Sequence, residues 1–493
     1  MAAITVREML AAETAAISRG WTEASLLQTA GEALGHALAR MFRSPGTAVA
    51  FIGKGHNAGD ALIALSVLRD FHGWKIAVRR AFPIDAFAPL VRDAYDRLSA
   101  PDFFPDDPAL CRPLLILDGL LGTGTTGPLR EPLATAADEI NRLREMAGAI
   151  VMAVDVPSGV NPDSGISDPG SVTPDATFMI GNAKTGLLTG SAASSVGRLA
   201  VVDVPCLTHS AATARDLICP QIFAASPQPR LFDFHKGMAG RVSIVAGSEG
   251  YEGAAVLTSI GALRGGAGLI TLFVPPAARL SVLAKCPPEI MVRAWDRTDE
   301  VLEIPHDALV VGPGLGDVRQ PSRILDLIGR SQKPTILDAD ALNLIAANAA
   351  HDLFSAHHVI TPHPGEFCRL APDLADHSRE SACENFIARH PPVLLLKGSR
   401  TLVCQRGNPV MWVNSTGTPA MATGGQGDLL AGVIGALAAG GASGMDAAAL
   451  GTWLCGRAAE IAADDRHGGL SATPSDVSLL LGAALRDWLT RSR

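Results

Sequence analysis

Charge of one sign is the first thing this sequence lacks. Lys and Arg number 41 against 49 Asp and Glu, a net charge of −8, and no basic stripe runs along any segment. Nucleic-acid binding leaves such an electrostatic footprint, so no nucleic-acid partner is expected. Cysteine clusters are missing too. There are eight Cys, and no pair is closer than Cys206 and Cys219. Without CxxC or a Cys/His cluster a zinc site is not expected, and scattered thiols suit a reducing compartment. No uninterrupted apolar run reaches the ~20 residues a membrane helix needs. The nearest, Leu429 to Ala442, is broken by Gly and preceded by Asp428, which predicts a buried helix and no membrane partner. The first turns carry Glu8 and Glu13 and no apolar core of a signal peptide, so a cytoplasmic protein is expected. Aromatics are scarce at 5%, which disfavours an aromatic-rich binding surface. What is abundant is apolar residue, at 47%, and glycine, at 50 of 493 residues. That length predicts two or three domains with sizeable cores, and the Gly/Ala-rich helices make a homo-oligomer an expectation.

The pattern along the chain is α/β. Residues 5–43 predict two amphipathic helices broken near Gly20. Apolar strands follow at Ala48–Ile52, Lys75–Arg79, Leu114–Leu117 and Ile150–Val154, with a helix over Ala61–Phe71. The segment Ser226–Arg230, with two prolines, reads as a linker. The strand–helix pattern then restarts at Arg241–Ala246, Leu269–Val274, Ala308–Val311, Thr335–Leu337, Val359–Thr361 and Val393–Leu396. Two doubly wound domains are therefore expected, over 1–220 and 226–493, each with a parallel sheet. Ligands of such sheets bind at the carboxyl ends of the strands.

Three loops of the first half stand at such ends. Gly53-Lys54-Gly55-His56-Asn57-Ala58-Gly59-Asp60 opens a helix and can turn N–H groups toward an anion. It fits a loose GxGxxA pattern through Gly53, Gly55 and Ala58, with Arg79 and Arg80 where a ribose-binding acid would stand. Its alternative is a turn with an Asx helix cap. The loop from Asp118 to Pro128 holds Gly122, Thr123, Gly124, Thr125, Thr126 and Gly127, a cradle of N–H and O–H donors suited to phosphate. Asp155-Val156-Pro157-Ser158-Gly159 places a carboxylate directly after a buried strand, which is costly unless the group is paired or opens into a cleft.

In the second half, Gly424-Gly425-Gln426-Gly427-Asp428 runs into the apolar helix Leu429–Ala439. Glycines let several N–H groups converge, and the helix dipole adds roughly 0.3–1 kcal/mol for an anion. Asp428 at that mouth can take a proton from an attacking hydroxyl while the N–H groups steady a transferring phosphoryl group. The alternative is a plain Asp N-cap. Lys397-Gly398-Ser399-Arg400-Thr401 suits a nucleotide phosphate or ribose, or is a charged hairpin turn. Prolines on both sides aim His363, and Gly312-Pro313-Gly314 lets backbone approach a ligand. Asp338 and Asp340 suit water or Mg²⁺, or Asp340 caps a helix.

The segments GKGHNAGDAL, LDGLLGTGTTGPL and VDVPSGV resemble the NAD(P)H-hydrate epimerase family over roughly residues 10–215. That resemblance implies K⁺ held by Asn57, Asp118 and Ser158, and substrate contacts from His56 to Asp60, from Gly122 to Pro128 and at Asp155. Asp155 would accept or orient a proton; Lys184 is a further candidate or a surface lysine. The second half resembles the NAD(P)H-hydrate dehydratase family of the ribokinase-like superfamily. HKGMAGRVSIVAGS, VVGPGLG, LDADALN, TPHPGE, KGSRT and TGGQGDLLAG carry it in order over about 235–440. It implies ADP as co-substrate with Mg²⁺, hydrate contacts at Ala254, Gly314, His363 and Asp428, and nucleotide contacts at 397–401 and Gly427. The expected folds are a Rossmann-like three-layer sandwich and a ribokinase-like domain. Two departures stand out. The first family's loop usually reads Asn-Asn-Gly-Gly-Asp where this chain has His56-Asn57-Ala58-Gly59-Asp60, and Gln426 replaces a commoner Thr or Ser. A rival reading is a small-metabolite kinase, for a vitamin precursor or sugar, with a non-catalytic N-terminal binding module.

Overall fold

A computed structural model describes the chain except residues 106–109, 125–126, 208–212, 221–229, 317–319, 465–470 and 492–493. Most of the linker stretch and both Thr125 and Thr126 lie outside the described residues. The chain divides into two compact units, Met1–Leu217 and Ile218–Arg493.

In the first unit, Thr47–Ile52 pairs with Lys75–Arg80 on one side and Leu114–Gly119 on the other. Ile150–Val154, Ala176–Ile180 and Arg198–Val202 continue the sheet, all in parallel. Successive side chains of a strand point to opposite faces. Ala48, Ala50 and Ile52 accordingly pack with Leu34, Leu38 and Leu65 in one core. Val49 and Phe51 pack with Ala137, Ile140 and Leu143 in another. Both faces are covered, which gives three layers. The connections after Thr47–Ile52 and Leu114–Gly119 leave in opposite directions, so a crevice opens at their carboxyl ends. A separate parallel pair joins Ala3–Ile4 to Ala183–Lys184.

The second unit is built the same way. Its parallel strands run in the order Met291–Ala294, Leu269–Val274, Arg241–Val245, Ala308–Val311, Thr335–Leu337, His358–Ile360 and Val393–Leu396. Leu402–Cys404 and Met411–Val413 then add antiparallel strands. Helices Glu252–Arg264 and Gln426–Ala439 share a core with the sheet. They approach closely because Gly261 faces the Leu429 carbonyl and Gly432 the Thr258 carbonyl, where any Cβ would collide with backbone.

Several elements differ from the sequence expectation. Ala176–Ile180 and Arg198–Val202 are additional strands. Each is a five-residue run, too short for periodicity to separate strand from helix. The helix expected at Ala61 begins at His56, with Gly55 as N-cap, so His56 to Asp60 form its first turn. Ala58 is fully buried there and does not need the backbone freedom of glycine.

Candidate functional sites

The crevice of the first unit gathers the predicted cation ligands. Ser158 donates from Oγ to Asp118 Oδ1 at 2.6 Å and from its backbone N–H to Oδ2 at 2.8 Å. Leu121 N–H donates to Ser158 Oγ at 3.0 Å, and Asn57 Nδ2 donates to Leu121 O at 2.8 Å. Gly122 leaves room beside Asn57, whose Oδ1 would stand 3.4 Å from a Cβ placed there. Asp118 is fully buried. Burial pushes its carboxyl up to about 6 despite the Ser158 and Leu120 hydrogen bonds, and no cationic side chain is among its influences. A buried carboxylate with oxygen-rich neighbours and no basic partner fits a monovalent cation.

Asp155 caps the next strand with a left-handed backbone, φ +63°. Non-glycine residues held so cost of order 1–3 kcal/mol and persist where surroundings over-determine them. Its N–H donates to Phe178 O at 2.9 Å, and its Oδ1 accepts from Ile180 N–H at 2.8 Å. The same oxygen forms an ion pair with Lys184 Nζ. Lys184 is fully buried and donates also to Ile180 O at 2.8 Å. The surface-lysine alternative is therefore wrong. Asp60 is 8% exposed, and its Oδ1 lacks a partner. Burial first, then Asp155 and Glu13, hold its carboxyl well above the ordinary range. Arg79 and Arg80 are tied to Glu139 and Asp102, at 3.0 and 3.2 Å. Both guanidinium groups are thereby engaged by carboxylates of their own unit.

The centre of the second site is Lys397. Its Nζ lies 2.8 Å from Asp338 Oδ1 and 3.7 Å from Glu366 Oε2. Burial opposes the ammonium charge, but Asp338, Glu366 and Asp428 outweigh it and raise its pKa. A Cβ on Gly427 would stand 3.3 Å from Lys397 Nζ and 3.7 Å from Asp338 Oδ2. The glycine turn thus sits directly against this pair. Gly425, with φ +94°, is the N-cap of helix Gln426–Ala439, so Asp428 lies inside the first turn and is not the cap. The first N–H groups of a helix have no intrahelical acceptor and face outward as an anion hole. Burial, with Asp338, Asp340 and Glu366 adding and Lys397 opposing, pushes Asp428 up to about 6.

Glu366 links His363 to this centre. It accepts from His363 N–H at 2.8 Å, and the His363 ring accepts from Gly365 N–H at 3.0 Å. The structure also brings Gly314 against Ala254, 2.7 Å from Cβ to Cβ if Gly314 carried one. Asp340 accepts from Gly316 N–H at 2.9 Å and does not cap its own helix. Ala339, at φ +48°, reverses the backbone so that Asp338 and Asp340 reach different partners. The 397–401 segment is the turn of an antiparallel hairpin. Thr401 Oγ1 donates to Gly398 O at 3.0 Å, Arg400 is buried, and Arg379 donates to Lys397 O at 3.0 Å.

Sequence reasoning missed the Lys397–Asp338 pair and the reach of Glu366. The pair is separated by 59 residues, and one chain carries no signal of such a contact.

Two α/β units with loops gathered at their strand ends, the second with an acid–lysine cluster at a glycine-rich helix mouth, have the form of a fused two-site enzyme. Residues 242–479 match the family model described as NAD(P)H-hydrate dehydratase, and residues 23–186 match YjeF-related protein N-terminus. The bifunctional NAD(P)H-hydrate repair enzyme Nnr of Gloeobacter violaceus is 33% identical over 87% of this chain and 87% of its own. That of Coxiella burnetii is 32% identical, over 95% and 96%. The solved ADP/ATP-dependent NAD(P)H-hydrate dehydratase of Bacillus subtilis is 26% identical over 56% of this chain and 100% of its own, with TM-score 0.49. The chain belongs to the bifunctional NAD(P)H-hydrate repair enzyme family.

Proposed function

We propose that this protein repairs hydrated NADH and NADPH in two steps, in the cytoplasm where those cofactors turn over. The first unit, Met1–Leu217, interconverts the R and S hydrates. The second, Ile218–Arg493, removes water from the S form at the expense of ADP, giving NAD(P)H, AMP and phosphate. Asp428 takes the proton of the hydrate hydroxyl as that oxygen attacks the β-phosphorus of ADP. The glycine-turn N–H groups and Lys397 hold the phosphoryl charge. Phosphate then leaves with the C–O bonding pair, the neighbouring ring carbon gives a proton to the departing phosphate, and its C–H pair closes the ring double bond. The observation that carries this reading is Asp428, lifted to about 6 beside Lys397 at the mouth of its helix. A base near the working pH is the efficient choice for such a transfer.

K⁺ fits the Asn57, Asp118 and Ser158 set, where it would balance the buried carboxylate and fix the two loops. Mg²⁺ fits less well as a caged ion. Asp338 is engaged by Lys397, and Asp340 by Gly316 N–H. Among the described residues no group of three His, Cys, Asp or Glu is placed to hold a metal. Mg²⁺ would then come with the nucleotide, balancing its phosphate charge.

The test mixes both hydrate epimers with ADP and follows recovery of reduced-nicotinamide absorbance. Full recovery is expected from the intact chain, half from a chain whose first site is silent. Asp428→Ala should lose at least the roughly 10²–10⁴-fold typical of acid–base catalysis. A stable phosphorylated product without elimination would favour the small-metabolite kinase.

A further inference from the structure

The hydrate side and the nucleotide side of the second site meet at Glu366, a residue that neither set of expected contacts includes. It is buried at the third position of helix Pro364–Leu370. Its two oxygens face different groups. Oε2 accepts from His363 N–H at 2.8 Å and lies 3.7 Å from Lys397 Nζ. Oε1 lies 3.4 Å from His363 Nε2. One carboxylate thus serves both the residue expected to touch the hydrate and the residue expected to touch the nucleotide.

The frame around it is fixed. His363 and Lys397 follow neighbouring parallel strands, His358–Ile360 and Val393–Leu396. Lys397 N–H donates to Pro362 O at 2.9 Å, which ties the two loops together. His363 Nδ1 accepts from Gly365 N–H at 3.0 Å and from Glu366 N–H at 3.4 Å. Two donors on Nδ1 place the proton of the neutral ring on Nε2, the nitrogen that faces Glu366 Oε1. The His363 side chain is half exposed, so a ligand can reach the ring. Lys397 is shared between two carboxylates. Asp338 Oδ1 holds it at 2.8 Å, whereas Glu366 stands at 3.7 Å, beyond hydrogen-bond length. Glu366 is the looser of the two partners of that ammonium.

We propose that Glu366 is a positioning residue that couples ADP binding to hydrate binding. This rests on the dehydratase reading of the second unit and deepens it. The incoming β-phosphate draws the Lys397 ammonium away from Glu366, its longer contact. A buried carboxylate that loses positive charge beside it is costly. The side-chain donor that remains next to it is His363 Nε2–H. That contact shortens, the ring is set, and the hydrate meets His363 already oriented. By linkage, bound hydrate strengthens the nucleotide site by the same factor. No covalent bond is made or broken, and no proton changes owner.

The experiment titrates two unreactive nucleotides into the whole chain by calorimetry, with and without saturating hydrate. α,β-Methylene ADP carries the β-phosphate but holds it through a P–C bond that transfer cannot break. AMP lacks that phosphate. In the parent, hydrate should tighten the methylene analogue about fivefold or more and leave AMP unchanged. Glu366→Gln removes the charge, while its amide oxygen can still accept from His363 N–H, so the helix cap survives. The hydrate effect on the analogue should vanish in Glu366→Gln and also in His363→Ala. An effect kept in either variant overturns the proposal. So does a parent that restores reduced nicotinamide from S-hydrate and ADP, yet binds the analogue equally with and without hydrate. A parent that never restores reduced nicotinamide overturns the dehydratase reading itself.

Discussion

The position of the acid limb in the dehydration rate is the sharpest consequence of the second site. Asp428 is held at about 6 by burial and its acidic neighbours. A base must be ionised to act, so the rate falls as pH drops through that value. At pH 5 roughly a tenth of the molecules keep the carboxylate, so kcat should be about tenfold below its plateau. Two substitutions then move the limb in opposite directions. Lys397 lowers the Asp428 pKa and Asp338 raises it. Removing either charge therefore shifts the limb in the direction opposite to that charge's own effect. Lys397→Met should carry the limb upward from about 6, with activity regained at more alkaline pH. Asp338→Asn should carry it toward acid. The assay is absorbance of the restored reduced nicotinamide from S-hydrate and saturating ADP, between pH 4.5 and 9. Plateau heights will differ, since Lys397 also faces the phosphoryl group; the limb position is what counts. A flat profile in the parent, or limbs that move the same way in both variants, would refute the electrostatic account of Asp428.

Potassium should act on stability as well as on rate. A cation that binds only the folded first unit adds ~2.7 kcal/mol at a hundredfold excess over its Kd. The thermal transition of that unit should therefore rise in KCl over choline chloride, and Asp118→Asn should erase the difference. Equal transitions in both salts would remove the cation from this site. Gly432→Ala should destabilise the second unit by ~1–3 kcal/mol, because its Cβ must push against the Thr258 carbonyl. Urea unfolding measures this, and an unchanged midpoint would mean that the helices separate freely.

Much of the site was legible because its chemistry is local. A glycine run before an apolar helix fixes an anion hole within a few residues, and Gly424 to Asp428 needed no partner to be read. The same holds for the Asp118 and Asp155 loops, whose carboxylates follow directly on buried strands. The parallel sheets followed from alternating apolar segments, except where runs such as Ala176–Ile180 were too short to show a period. Two local patterns misled. His56 to Asp60 looked like a loop but is helix, since nothing in Asn-Ala-Gly-Asp prevents a first turn after Gly55. For Lys184 the pattern offered a surface lysine as readily as a site residue, yet it is buried, and Asp155 makes that burial tolerable.

The sequence by itself determined the two α/β units and their strand-end loops, and pointed to Asp428 and Asp155 as candidate reacting groups. Those properties depend on residues adjacent in the chain, where spacing and geometry are coupled. Only the tertiary structure decided which charges oppose one another. Asp338 meets Lys397 across 59 residues, and Asp155 acts electrostatically on Glu13, far earlier in the chain. Coulomb energies depend on distance through space and on burial. Neither quantity is written in the order of the residues.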